Sequence, residues 1–482
     1  MPDIRTVFFI VGLMLAALGM AMFVPGMVDY AYKGEGWSAF IMSGIFTTLM
    51  GAVLSTTTYT PKPVLPARGA FLLTVLSWVF LCAFAAIPFL MAPGNMSVTD
   101  ALFEATSGIT TTGSTIMTGL DNQSKGILIW RAILQWIGGI GIIVTAMAVL
   151  PMLRIGGMQL FRLESSDMSE KILPRAASLA MAISLIYLVL TMMCAFGYMF
   201  VGMSAFDAVA HAMTTVATGG YSTSDLSMGG FMDNGADLVC MAFMVAGAMP
   251  FGVYLLIVRG NLRAPLQDPQ VRTFIAVLAA LIMLMTVSLW VNSELTQSRA
   301  LRLSAFNVIS VVTGTGYATA DYNSWGSFAV AGFFAFMFIG GCAGSTACSI
   351  KIFRYQVAFE ALRVYLLRMP RPNLVTPLRY GSKPLPESVV YSVMSYFFLF
   401  FMTFAVGAII LSVLGLDPMT AWSGAGSAVA NVGPGLGDII GPTGTYQSLP
   451  DAAKWVLMGG MIVGRLEIVT ALVLLTPSFW RA

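Results

Sequence analysis

The 482-residue sequence predicts an all-α polytopic membrane protein, with two N-terminal spans and four pseudo-repeated span–pore helix–span units around one central pore. Three observations predict it. The first is composition: 57% of the residues are apolar and only 10% are charged, against about 25% charged in a soluble globular protein. The 25 basic and 22 acidic residues leave a net charge of +3, too few charges to coat a soluble surface of this size. A cytosolic enzyme, a disordered chain and a nucleic-acid binder with a broad basic face are excluded. The second observation is a series of apolar runs of spanning length. The third is a turn sequence that recurs four times, roughly every 100 residues.

At roughly 20 apolar residues per span, the runs read as Ile4–Val24, Trp37–Thr57, Gly69–Met91, Ile127–Met152, Ala176–Gly202, Ala236–Val258, Val271–Val291, Trp325–Ile339 with a Gly-rich continuation, Val389–Leu414 and Ala453–Leu475. Arg5 precedes the first run and no small-residue cleavage site follows it, so it reads as a retained span and not as a cleaved signal peptide. Ten spans place the connections alternately on two sides. One side carries 18 basic and 7 acidic residues, the other 6 basic and 14 acidic. The positive-inside rule makes the first side cytoplasmic, with both termini inside. The local balances are then +11 inside and −8 outside, and Arg465 and Glu467 cancel within the last span. The five cysteines, Cys82, Cys194, Cys240, Cys342 and Cys348, lie in apolar or Gly-rich stretches and read as small buried thiols. His211 is the only histidine, which leaves little material for metal chemistry.

Four outside connections align on one glycine each: Gly113, Gly220, Gly316 and Gly433. The residues before them read DALFEATSGITTT, DAVAHAMTTVATG, LSAFNVISVVTGT and TAWSGAGSAVANV. Five residues after the glycine come Asp225, Asp321 and Asp438, where the first repeat has Thr118 and then Asp121. Glycines recur further on at Gly138–Gly139, Gly247, Gly340–Gly341 and Gly459–Gly460. The predicted organisation is residues 1–67 as two peripheral helices, 68–158 as pore repeat 1, 170–262 as repeat 2, 268–369 as repeat 3 with a broken second helix, and 385–482 as repeat 4.

Each half-helix is too short to cross, so it enters from outside and returns as extended chain. Bare backbone at membrane depth is tolerated only where protein buries it or water reaches it. Four such turns around an axis aim carbonyl oxygens at a common centre, where they replace a cation's hydration shell. The half-helices also direct their negative ends inward. The candidate cation-binding residues are Thr111, Thr112 and Gly113; Thr218, Gly219 and Gly220; Gly314, Thr315 and Gly316; and Asn431, Val432 and Gly433. None carries a charge, which suits a large monovalent cation. Asp225, Asp321 and Asp438 would concentrate cations at the outer mouth; a plain loop role is the other reading.

These turns and their flanks resemble the TrkH/TrkG/KtrB family of potassium uptake proteins. The resemblance rests on TTTGST (110–115), TTVATGGYSTSD (214–225), VVTGTGYATADY (311–322), ANVGPGLGD (430–438), WIGGIGI (136–142) and GGCAGSTACSIKIFR (340–354), and it includes the two extra N-terminal spans of the Trk branch. It implies potassium at a single-glycine filter, a homodimer with one pore per subunit, and a cytosolic NAD/ATP-binding regulatory ring of the TrkA type. Nucleotide would act only through that partner, since no G-x-x-x-x-G-K-[ST] loop is present. No covalent cofactor, enzymatic activity or nucleic-acid partner is expected, and the implied location is the bacterial inner membrane.

Below the filter, Gly340, Gly341, Cys342, Ala343, Gly344, Ser345 and Thr346 disfavour continuous helix. They resemble the family's intramembrane gate loop; a helix-packing face is the alternative. Arg465 lies 32 residues past Gly433, the offset that reaches Cys348 in the third repeat. An arginine at that depth faces water or a partner. It reads as a pore barrier, or else as a structural pair with Glu467 of another subunit or with loop carbonyls. The arginine-rich stretch from Lys351 to Glu387 suits anionic lipid or a regulatory partner. The function predicted is gated, channel-like potassium uptake. The alternative on the same fold is an ion-coupled carrier, a potassium symporter with protons or sodium.

Overall fold

The computed structural model describes residues 4–61, 65–94, 96–148, 172–371, 373–381 and 383–481. The predicted span end at Met152, the repeat boundaries at 158 and 170, and the inside charges Lys62, Arg154, Arg162 and Lys171 lie outside the described residues. Helices α1 (Ile4–Ala21), α2 (Phe23–Ala31) and α3 (Trp37–Thr57) form the N-terminal unit. Here α1 packs on α3 so closely that a Cβ on Gly12 or Gly51 would strike the backbone of the facing helix. Small residues permit that approach in a membrane, where apolar burial alone does not hold helices together.

A long–short–long pattern follows four times. The first comprises α4 (Ala67–Ala85) with α5 (Ile87–Met91), then α6 (Val98–Ile109) and α7 (Lys125–Ala148). The second comprises α8 (Ile172–Phe200), α9 (Ala205–Val216), α10 (Ala236–Ala248) and α11 (Phe251–Val258). After the short α12 (Ala264–Gln267), the third has α13 (Pro269–Asn292), α14 (Gln297–Thr313), α15 (Ser327–Phe336) and α16 (Ile352–Arg368). A small antiparallel hairpin of β1 (Arg379–Tyr380) and β2 (Lys383–Pro384) leads into the fourth. It has α17 (Glu387–Val413), α18 (Pro418–Ala430), α19 (Asp451–Arg465), α20 (Val469–Val473) and α21 (Pro477–Trp480).

Among the described residues seven helices are long and apolar enough to cross a membrane. Two of the ten expected spans carry a one-residue irregularity, at Met22 and Ala86, and three break outright. The run Ala236–Val258 breaks between α10 and α11 with a 94° bend. Pro250 has no N–H to continue the ladder, and Met249 before it is extended. The third repeat's run stops at Phe336, as its glycines predict, and Ile339 pairs with Ile350 in a parallel bridge instead. The run Ala453–Leu475 breaks after Arg465, where Glu467 takes a φ of 59°.

The second spans touch the short helices through glycine. A Cβ on Gly138, Gly247 or Gly464 would press on the carbonyl of Ile109, Val216 or Val429, each four residues before an aligned glycine. In the fourth repeat Gly460 also faces the short helix, against Ala428 and Val429, and Gly464 one helical turn further on meets the carbonyl, while Gly459 has open space beside it. Gly138→Ala is therefore expected to cost about 1–3 kcal/mol, the usual penalty of overpacking. Thermal unfolding of the purified protein checks it, and an unchanged midpoint contradicts this packing.

A closed ring of four turns as candidate functional site

Three of the four short helices are started by a capping side chain; Thr296 before α14 makes no such bond. Ser97 accepts from Asp100 N and Ser204 from Asp207 N, both at 3.1 Å, and Asp417 accepts from Thr420 N at 3.0 Å. These are N-caps with an acid in the first turn of α6 and α9. The hydroxyl and N–H of Thr420 hold the Asp417 carboxyl below the usual carboxylate range.

The helix ends share one geometry. Two residues before the aligned glycine the backbone turns left-handed, at Thr111 (φ 52°), Thr218 (50°), Gly314 (72°) and Asn431 (52°). It does so again at Gly113 (88°), Gly220 (79°), Gly316 (82°) and Gly433 (107°). The residue between donates its N–H five residues back: Thr112 to Ser107 (2.9 Å), Gly219 to Thr214 (2.8 Å), Thr315 to Ser310 (2.8 Å) and Val432 to Ser427 (3.0 Å). This long-range cap satisfies an orphan carbonyl at each helix end. The acceptor is Ser or Thr all four times, a register signal the sequence reading passed over.

The turns then close on one another. A Cβ on Gly113 would collide with the carbonyl oxygen of Gly219, on Gly220 with that of Thr315, on Gly316 with that of Val432, and on Gly433 with that of Thr112. The glycine of each turn thus lies against the preceding-residue carbonyl of the next turn, from the first through the fourth and back to the first. Only glycine combines positive φ with that approach. A second belt runs the other way. Ser114 Oγ donates to Gly433 O at 2.8 Å, Tyr221 OH to Ser114 O at 3.2 Å, and Tyr317 OH to Tyr221 O at 3.3 Å, while Pro434 packs on Gly316.

Nine residues before the glycine, three polar side chains anchor the returning chain. Glu104 accepts from Thr115 Oγ1 (2.9 Å) and Ile116 N (3.0 Å), His211 shares a hydrogen bond with Ser222 Oγ (3.0 Å), and Asn307 donates to Thr319 Oγ1 (3.0 Å). In the fourth turn Ser423 Oγ, one residue earlier, accepts from Leu436 N at 2.8 Å. Glu104 is also bonded to Arg131 at 2.8 Å, and both are buried.

The segment Gly340–Thr346 is pinned to the break in the second repeat. Cys342 N donates to Ala248 O (3.0 Å), Phe251 N to Gly344 O (2.8 Å) and Thr346 N to Gly247 O (3.2 Å). Gln270 Oε1 accepts from Ala343 N at 2.9 Å, and Ser345 Oγ donates to Cys342 O at 2.6 Å. Cys348 reaches the ring itself, with its Sγ 3.6 Å from Thr111 Oγ1 and its Cβ beside Gly314. Arg465 is buried against the same segment. It donates to Cys348 Sγ (2.6 Å), Thr346 O (3.3 Å) and Gly138 O (3.3 Å), so three repeats meet at one guanidinium.

The TrkH family model, a cation transport protein, matches residues 37–481. The chain belongs to the TrkH family. Among relatives of this TrkH-family chain, the Trk system potassium uptake protein TrkI of Halomonas elongata is 48% identical over 85% of this chain and 84% of its own. TrkH of Escherichia coli K12 is 36% identical over 99% of both chains. The crystal structure of the potassium transporter TrkH from Vibrio parahaemolyticus superposes with a TM-score of 0.92 at 36% identity, covering 99% of this chain and 100% of that one.

Several expected residues of this TrkH-family chain have different surroundings from those the sequence suggested. Glu467, two residues from Arg465, is ion-paired with the buried Arg354, whose guanidinium lies 3.6 Å from the Tyr396 ring centre. Among the described residues no carboxylate forms a salt bridge with Arg465. Of the outer aspartates, Asp225 accepts from Leu120 N at 3.1 Å and Asp321 from Asn323 N at 3.0 Å, both loop contacts, while Asp438 is exposed. Lys351 and Arg354 are buried, so the exposed inside charges of that stretch include Arg363, Arg368 and Arg371. Three outside bases close seams between repeats. Arg131 donates to Ser222 O (2.9 Å), Arg302 pairs with Asp237 (2.6 Å), and Lys454 with Asp100 (2.6 Å). Their sequence signal was a base within an otherwise apolar or helical outside stretch. All five cysteines are free and buried.

Proposed function

We propose that this membrane protein takes up potassium by channel-like conduction through the ring of Thr111–Gly113, Thr218–Gly220, Gly314–Gly316 and Asn431–Gly433, working in the bacterial inner membrane with both termini cytoplasmic. The observation that carries the reading is the closed circuit of glycine-to-carbonyl contacts around four repeats. Uncharged carbonyls contributed by four turns suit a dehydrated monovalent cation. The relatives named as Trk system potassium uptake proteins give potassium as the cargo. Under this reading 1–67 is peripheral, and 68–158, 170–262, 268–369 and 385–482 are the four pore units. Gly340–Thr346 is the gate, Arg465 the barrier below the filter, and Asp225, Asp321 and Asp438 draw cations to the outer mouth.

Glu467, the acid that ion coupling would rely on, is committed to Arg354, which favours conduction over a carrier. A homodimer and a TrkA-like nucleotide-binding ring complete the proposed assembly, with the exposed inside arginines available to that ring or to anionic lipid.

Gly316→Ser tests the filter. A side chain there meets Val432 O, so potassium-over-sodium flux in liposomes is expected to fall about tenfold, the effect of about 1.4 kcal/mol on relative ion binding. Unaltered selectivity in a folded variant removes Gly316 from the filter.

A further inference from the structure

The four ring carbonyls are not equivalent. Among the described residues, no protein donor reaches Thr112 O, Thr315 O or Val432 O, whereas Gly219 O accepts from Gln135 Nε2 at 2.6 Å. The Oε1 of the same carboxamide accepts from Tyr221 N at 3.0 Å. One side chain from the first repeat therefore grips the second turn on both sides of Gly220. The space is tailored to it, since a Cβ on Gly219 would collide with the Gln135 carboxamide.

Gln135 is buried on α7, one helical turn beyond Arg131. Arg131 is itself fixed by Glu104 and lies 4.1 Å from the Tyr221 ring centre. The carboxamide is thus held on a rigid element. It stands 22 residues past Gly113; the same register in the other repeats gives Ala242, Phe338 and Trp455, none of which carries a carboxamide.

We propose that Gln135 is a specificity-determining positioning residue of the ring. Its N–H occupies part of the Gly219 oxygen's accepting capacity and stops that oxygen from swinging inward. A small, strongly hydrated cation such as sodium or lithium needs ligands that close around it. A ring with one clamped carbonyl resists that closure and leaves the larger potassium or rubidium ion the better fit. The inference rests on the conduction reading above.

The test uses the full-length protein in liposomes and compares potassium, rubidium, sodium and lithium fluxes in wild type, Gln135→Met, Gln135→Leu and the filter variant Gly316→Ser. Methionine has similar length and no donor. The expected result is a sodium-to-potassium flux ratio raised roughly threefold to tenfold in both Gln135 variants, the worth of one hydrogen bond. Gln135→Met strands the buried Tyr221 N–H, so a modest fall in the thermal midpoint is expected, and the readout is the ratio of fluxes and not the absolute potassium flux. If that variant fails to fold, Gln135→Asn, whose amide falls one methylene short of Gly219 O, decides instead. Folded variants that keep the wild-type ratio, or lose all four fluxes in proportion, overturn the inference while Gly316→Ser still reports on the filter. A wild type that passes no cation overturns the conduction reading and this inference with it.

Discussion

Replacing Arg465 with alanine is expected to raise potassium flux through the reconstituted protein at least tenfold. The guanidinium sits under the ring against Gly138 O, Thr346 O and Cys348 Sγ, with no carboxylate in salt-bridge range among the described residues. Under the proposed conduction reading, its charge is felt by any cation leaving the ring. At roughly 8 Å and an effective dielectric of about 20, two unit charges repel by about 2 kcal/mol, or about 30-fold in occupancy. Removal also frees the Gly340–Thr346 segment from one of its anchors, which acts in the same direction. Arg465→Lys keeps the charge, loses the fork of donors, and should stay close to wild type in flux. If Arg465→Ala conducts like wild type, the arginine is a structural strut and the barrier assignment is wrong.

The largest stability effect is expected at Arg131. Arg131→Met leaves Glu104 buried with its charge uncompensated and removes the donor to Ser222 O. Breaking a buried pair by removing one partner costs about 3–5 kcal/mol. The double variant Glu104→Gln with Arg131→Met removes both charges and should recover part of that loss, because the penalty comes from the orphaned ion and not from the missing contact. Thermal unfolding in detergent measures all three proteins. A loss below about 1 kcal/mol for Arg131→Met, or a double variant worse than the single by the full additive amount, contradicts this reading of the pair.

The sequence exposed the turns because glycine is needed wherever positive φ meets a neighbour's carbonyl, so Gly113, Gly220, Gly316 and Gly433 mark the register by themselves. The link between Arg465 and Cys348 was also legible, since both lie 32 residues past their glycines and their side chains touch. What stands behind the ring was not. Arg131 reads as one base among the six outside, and Gln135 carries no local signal, because each acts on a segment of another repeat 84–91 residues away. Chain order carries no record of such a pairing. The break at Pro250 had a local signal, a proline in mid-span, but apolar content outweighed it. The partner of Glu467 has no signal in chain order either: a left-handed residue turns the chain after α19 and delivers the carboxylate to Arg354.

The central claim is selective cation conduction through the four-turn ring. It is tested most directly by measuring potassium, rubidium, sodium and lithium flux into liposomes containing the purified protein, as wild type and as Arg465→Ala, with and without a nucleotide-binding partner. The account predicts that potassium and rubidium pass, that sodium and lithium lag well behind, and that Arg465→Ala raises the rates. No flux of any cation in any of these conditions, or equal passage of all four, would contradict it.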